Sequence, residues 1–152
     1  MKNDFVLIFL LFFTLAVGGA LEELAPKMLG VGFPVLLTAA VFHAPRRPLA
    51  TMAIFVIAAG AMEDALSGLP PFSSIAFFAL AASAARWLGH SVITALLAYP
   101  AYQVWLWACC SGLDAGLFNR LLVSIPVGIA AVGVLWPLFG WLEERGALDG
   151  RR

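Results

Sequence analysis

Glu63 and Asp64 carry the most chemistry for their surroundings: two adjacent carboxylates inside a long apolar stretch, with Gly68, Pro70 and Pro71 close behind. Carboxylates so placed could accept hydrogen bonds, pair with a cation, or be solvated at a membrane surface. They fall at the C-terminal end of a predicted helix, where the macrodipole makes negative charge unfavourable by about 0.3–1 kcal/mol. An unpaired acid at mid-bilayer costs more, up to roughly 2.5–3.5 kcal/mol on insertion scales, and less toward a helix end. Two acids set against the dipole therefore call for nearby donors.

Helical spacing separates the two. Gly60, Asp64 and Gly68 share one face, with Ala53 and Ile57 on the same stripe, whereas Glu63 follows Val56 and Ala59 on another. Small residues on either side of Asp64 suit a face packed against a neighbouring helix. Asp64 is expected to point inward; Glu63 is left open between an inward position and a solvated one. Donors are available in Lys27 and Arg120, and in Ser73 and Ser74 at the start of the next helix, whose dipole has the right sign. Gly68 suits a left-handed helix stop. Pro70 and Pro71 preset the backbone for the helix that follows. The expectation is that Asp64 pairs with one of these donors and fixes the turn.

Other reactive residues are few. Cys109 and Cys110 are adjacent, so they lack metal-ligand spacing and cannot staple distant parts of a fold. His43 and His90 stand beside basic residues and read as interfacial; no second His or acid stands at metal-binding spacing. Neither a His/Asp nor an Asp/Asp pair sits at catalytic spacing within the apolar segments, and no nucleophile elbow, phosphate-binding Gly loop or zincin pair is present. The expectation is a non-enzyme with no metal and no cofactor. Tyr99, Tyr102 and Gln103 surround Pro100, and Ser124 precedes Pro126. These side chains could line a small polar pocket, or bond to the carbonyls that the prolines free; the second is favoured.

The elements that must position these groups are membrane helices. Charged residues make up 12% of the chain and mean hydropathy is +0.97, where a soluble domain would carry about a quarter charged residues. Net charge is formally zero, which gives no electrostatic case for nucleic acid. Cutting at charges and Gly/Pro clusters yields an all-α, polytopic single domain over residues 1–152, with about six spans at 5–21, 28–43, 49–66, 72–88, 91–111 and 117–142. The second is short, and Gly30, Gly32 and Pro34 suggest that it is broken or tilted, which requires neighbouring protein to satisfy the backbone. Lys2, an apolar core and Gly18-Gly19-Ala20 imitate a signal peptide, but Asp4 and the run of later spans favour a retained helix.

Basic residues set the orientation. With the N-terminus in the cytoplasm, Lys2, Arg46, Arg47, Arg86, Arg145, Arg151 and Arg152 fall inside, and only Lys27 and Arg120 fall outside. Both termini are then cytoplasmic, and the Glu63–Pro71 turn faces outward. Trp87, Trp136 and Trp141 near inner ends, and Trp105 and Trp107 near an outer end, fit interfacial belts. Ala79 with Ser83, Ala81 with Ala85, and Ala16 with Ala20 supply small-residue spacing for close helix approach. Pro100 and Pro126 are expected to kink their helices.

The run from Gly60 through Asp64, Ser67, Gly68, Pro70 and Pro71 to Phe72 resembles the Gly-x-x-x-Asp-x-x-Ser-Gly element and Pro turn of the rod shape-determining protein MreD family. Pro34 early in the second span, and Arg46 and Arg47 in the loop after it, match further features of that family. Val35 and Ser73 depart from its pattern, standing where an acid and a Gly are common. The resemblance implies a non-enzymatic subunit of the cell-elongation machinery in the bacterial cytoplasmic membrane. It further implies a bitopic MreC-like partner, through which the subunit connects cytoplasmic MreB to RodA and a class B penicillin-binding protein. The family is also similar in fold to the substrate-binding subunits of energy-coupling-factor transporters. That likeness implies an alternative, a small-molecule-binding transporter subunit with Tyr99, Gln103, Ser124 and Asp64 around its pocket.

Overall fold

The computed structural model describes residues 2–29, 33–67, 70–89, 92–110 and 115–149. These form six helices: α1 (Lys2–Leu29), α2 (Val35–His43), α3 (Leu49–Ser67), α4 (Ser73–Leu88), α5 (Val92–Cys110) and α6 (Ala115–Asp149). Apolar sequence of this kind must satisfy its backbone internally, and helices do so within each segment. Among the described residues three helices, α3, α5 and α6, are long and apolar enough to cross a membrane, and α4 is a shorter apolar helix. Pro100 lies inside α5, and Pro126 and Pro137 inside α6, each within a continuous helix.

α2 is the organising element. The expected second span over 28–43 is replaced by a nine-residue helix that begins after Pro34, while residues 28 and 29 continue α1. At 1.5 Å per residue α2 is about 14 Å long, under half of a ~30 Å hydrocarbon layer. All nine of its residues are buried, and it packs against each of the other five helices. Hydropathy alone reads such a segment as a short span, because a helix sheathed by protein and one sheathed by lipid need the same apolar side chains. His43, read as interfacial, is instead buried at the end of α2 beside the Phe42 and Phe139 rings.

Outside this core the apolar side chains face outward. Ile54, Leu80, Leu97 and Val134 are each about two-thirds exposed, a distribution that water would penalise and lipid would not. Charged residues gather at the helix ends instead. At one end Glu143 of α6 accepts Arg46 at 3.0 Å and also binds Arg47, clamping the turn after α2. Arg46 additionally covers the Phe42 ring at 4.0 Å. Arg86 of α4 donates to the carbonyls of Ala44 and Arg47. At the other end, acids in the C-terminal parts of α1 and α3 meet the N-termini of α2 and α4.

Glycines allow the closest helix approaches. α1 reaches α2 and α3 through Gly18 and Gly19, where added Cβ atoms would meet Leu36 at 2.8 Å and Met62 at 1.8 Å. Ala16 and Ala20, read as the approach pair, are exposed instead. On α4 the Ala81/Ala85 stripe is buried, while Ala79 and Ser83 are exposed along a cleft beside α3. α3 and α4 make the most extensive helix pair, and Gly60 is where they touch: an added Cβ would lie 2.6 Å from the Ile75 backbone N and Cα. Backbone cannot yield as a side-chain tip can. Gly60→Ala should therefore destabilise the protein by about 1–3 kcal/mol, the usual range for overpacking, measured by thermal unfolding in detergent. Gly133→Ala, which meets nothing within 4 Å, should be neutral or slightly stabilising.

Candidate functional site

The N-termini of α2 and α4 share a defect. Each opens with amides that have no partner within the helix, and in each the residue at the N-cap position supplies no side-chain bond: Pro34 for α2, Phe72 for α4. Phe72 also holds a left-handed conformation, φ 72°, which costs a non-glycine residue roughly 1–2 kcal/mol. The missing caps come from the end of the preceding helix. Asp64 Oδ1 accepts the Ser74 amide at 2.8 Å and the Ser73 hydroxyl at 3.0 Å. Glu22 Oε1 accepts the Leu36 amide at 2.8 Å. Asp64 sits in the last turn of α3, the unfavourable end of its own helix dipole, and Glu22 lies about two turns before the end of α1; both face the favourable end of the next helix.

The turn between α3 and α4 is fixed from several sides. The Ser73 amide donates to the Pro70 carbonyl at 3.2 Å, and the Ala76 amide to Phe72 at 3.0 Å. Trp105 Nε1 of α5 donates to the Ser73 carbonyl at 3.1 Å, so this tryptophan joins α5 to the turn as well as lying near a helix end. Ser74 Oγ and the Tyr102 hydroxyl are 2.9 Å apart, and Tyr102 in turn donates to Glu63 Oε1 at 3.2 Å. Phe77, Phe78 and Trp105 crowd the same spot: Phe77 and Phe78 pack on the Tyr102 ring, and Trp105 packs on Phe77.

Glu63 closes the circuit. Its carboxyl also lies close to that of Glu22. Tyr102 thus links Glu63 to Ser74, whose amide Asp64 caps, and Glu22 on α1 stands beside Glu63. Four helices, α1, α3, α4 and α5, contribute side chains to this knot, and α2 contributes the Leu36 amide.

Asp64 is buried, at 8% exposure, with Gly60 on its stripe packed against α4. Ala53 and Ile57, also on that stripe, are exposed. Glu63 is half-buried and lies on the stripe of Val56 and Ala59, both buried. Both acids therefore point inward, toward different neighbours. Lys27 pairs with Glu23 at 2.8 Å, one turn away on α1, and not with Asp64. Pro34 is buried, and its carbonyl accepts the Thr38 amide and hydroxyl. Pro70 and Pro71 form the exposed start of the turn. Gly68 and the Arg120 side chain lie outside the described residues.

Tyr99, Gln103 and Ser124 are buried together, with the Tyr99 hydroxyl beside the other two side chains. The Tyr99 ring lies on α6 where Gly128 leaves room; an added Cβ there would fall 1.8 Å from it. Three clefts between described residues are apolar and lie elsewhere: between α1 and α3, between α4 and α5, and between α3 and α4. Among the described residues no group of three or more His, Cys, Asp or Glu side chains is placed to hold a metal ion.

Glu22 was not singled out from the sequence. Its signal was available but faint: an acid in the C-terminal part of a helix, then prolines, then a helix without a capping side chain. Removal of either cap should be costly. Asp64→Ala is expected to destabilise by about 1–2 kcal/mol, the range for a lost N-cap, and Asp64→Asn, which keeps an acceptor, by less. Glu22→Ala should behave alike. Because the two acids share a network, the double substitution should depart from additivity by about 0.5 kcal/mol or more in thermal unfolding. No family model, curated protein or solved structure matches this chain.

Proposed function

We propose that this chain is a multi-pass scaffold subunit of the bacterial cytoplasmic (inner) membrane. In this reading it is a non-enzymatic part of the cell-elongation complex that presents its outer turn to an MreC-like bitopic protein. The observation that carries the scaffold reading is how the buried acids are used. Asp64 and Glu22 hold helix N-termini, and Tyr102 links Glu63 to Ser74, so one oxygen of each carboxyl is committed to geometry. The exposed Pro70, Pro71 and Phe72 on this fixed base offer a surface whose shape does not have to be ordered on binding.

The cell-elongation assignment rests on the resemblance of the Gly60–Phe72 element to the MreD family. RodA, a class B penicillin-binding protein and MreB would then be reached through the bitopic partner. Six spans with both termini cytoplasmic are part of the proposal. They are supported by the excess of basic residues on one side and by charge clusters at both ends of the bundle.

A second reading, a solute-binding subunit of energy-coupling-factor type, draws on the buried Tyr99, Gln103 and Ser124 trio between α5 and α6. Affinity purification of the chain from membranes separates the two. The scaffold reading expects a bitopic cell-shape protein to co-purify, with recovery reduced several-fold by Asp64→Ala but not by Gln103→Ala. Saturable binding of a metabolite by the chain alone, abolished by Gln103→Ala, would overturn it.

A further inference from the structure

The cleft between α3 and α4 opens at the end of the bundle opposite the acid knot. It has a volume of about 150 Å³ and is lined by Leu49, Met52, Ala53, Val56, Ala79, Ala82 and Ser83, with Ala44 and Arg86 also in its wall. The knot and the Gly60 contact press α3 and α4 together at their outer ends. Toward the other end, alanines and Ser83 leave the two helices unfilled. From Arg86 to Ala79 the cleft descends about 10 Å along α4, roughly two-thirds of one ~15 Å leaflet. Among the described residues, Ser83 and Arg86 are its polar lining side chains. The neighbouring Leu49 and Trp87 are 69% and 92% exposed, which places the mouth at the depth where apolar and amphipathic side chains meet headgroups.

Arg86 carries a charge that no acid among the described residues neutralises. Its Nη1 donates to the carbonyls of Ala44 at 3.3 Å and Arg47 at 3.1 Å, which holds the guanidinium over the turn after α2. No carboxylate among the described residues pairs with it: Glu143, the acid at this corner, is taken by Arg46 and Arg47. The remaining guanidinium N–H groups form the fork that suits a phosphate. A fixed, uncompensated cation above an apolar cleft of leaflet depth matches one ligand chemistry, an acyl chain ending in an anionic headgroup.

We propose that the α3–α4 cleft holds one acyl chain of an anionic phospholipid, with the phosphate bound by Arg86. A zwitterionic lipid presents the same phosphate together with an ammonium, and Glu143 is already occupied and cannot receive it. The site should therefore prefer phosphatidylglycerol to phosphatidylethanolamine. The inference needs the chain to lie in a membrane; it does not depend on which partner binds the outer turn.

The test uses the full chain in detergent with equal amounts of phosphatidylglycerol and phosphatidylethanolamine, read by native mass spectrometry. The expected result is one retained phosphatidylglycerol, favoured at least tenfold. Arg86→Gln should erase the preference and Arg86→Lys should keep part of it. Ala53→Phe, which fills the cleft from an exposed position, should remove the bound lipid while thermal unfolding stays near wild type. Equal retention of both lipids by the unaltered chain would overturn the proposal, and this result needs no variant to fold. So would unchanged phosphatidylglycerol binding in Ala53→Phe, or a dimer in which a second chain covers the cleft and which Ala53→Phe disperses.

Discussion

The structure depends on helix ends that cannot cap themselves. α2 and α4 begin after Pro34 and Phe72, neither of which supplies a capping side chain, in sequence too apolar for water to serve reliably. An acid of the preceding helix supplies the bond in each case, Glu22 to Leu36 and Asp64 to Ser74. One interaction thereby answers two electrostatic problems. The Asp64 carboxylate, which opposes its own helix dipole, is moved next to the positive end of another. The cap is also an inter-helix tie, so the direction of each helix is set by the one before it.

The rest of the bundle follows from these ties. The Glu22–Glu63 contact and the Tyr102 hydroxyl join the two caps and draw α1 and α5 against α3 and α4. α2, too short to cross a bilayer, can then sit wholly inside the other five helices, with its far end closed by Arg46 and Arg47 on Glu143. Gly18, Gly19 and Gly60 set how closely the helices approach. Outward-facing apolar side chains leave the sheath suited to lipid. The tight end and the looser end of the α3–α4 pair have different causes: backbone contact at Gly60, and a row of small side chains from Ala79 to Ser83.

Much of this was legible in the residues, and the gaps have physical reasons. Gly60, Asp64, Ser73 and Ser74 lie within one turn and its flanks, so helix spacing and dipole signs were enough to bring them together. Glu22 lies beyond the Gly/Pro-rich break around residues 30–34 from the amide it caps, and no local periodicity spans such a break. With Lys27 four residues from Glu23, the end of α1 reads instead as an ordinary solvated face. The length of α2 was hidden because apolar composition cannot tell protein surroundings from lipid. Glu63 was left open for a similar reason: its partners, Tyr102 and Glu22, come from helices whose rotation the sequence does not encode locally.

Hydrogen exchange at the start of α4 tests the central claim most directly. With the chain in lipid nanodiscs, the Ser74 amide should be strongly protected in the unaltered protein. Asp64→Ala should remove that protection from the first turn of α4 while leaving the middle of α5 unchanged. Equal protection of the Ser74 amide with and without the Asp64 carboxylate would contradict the account.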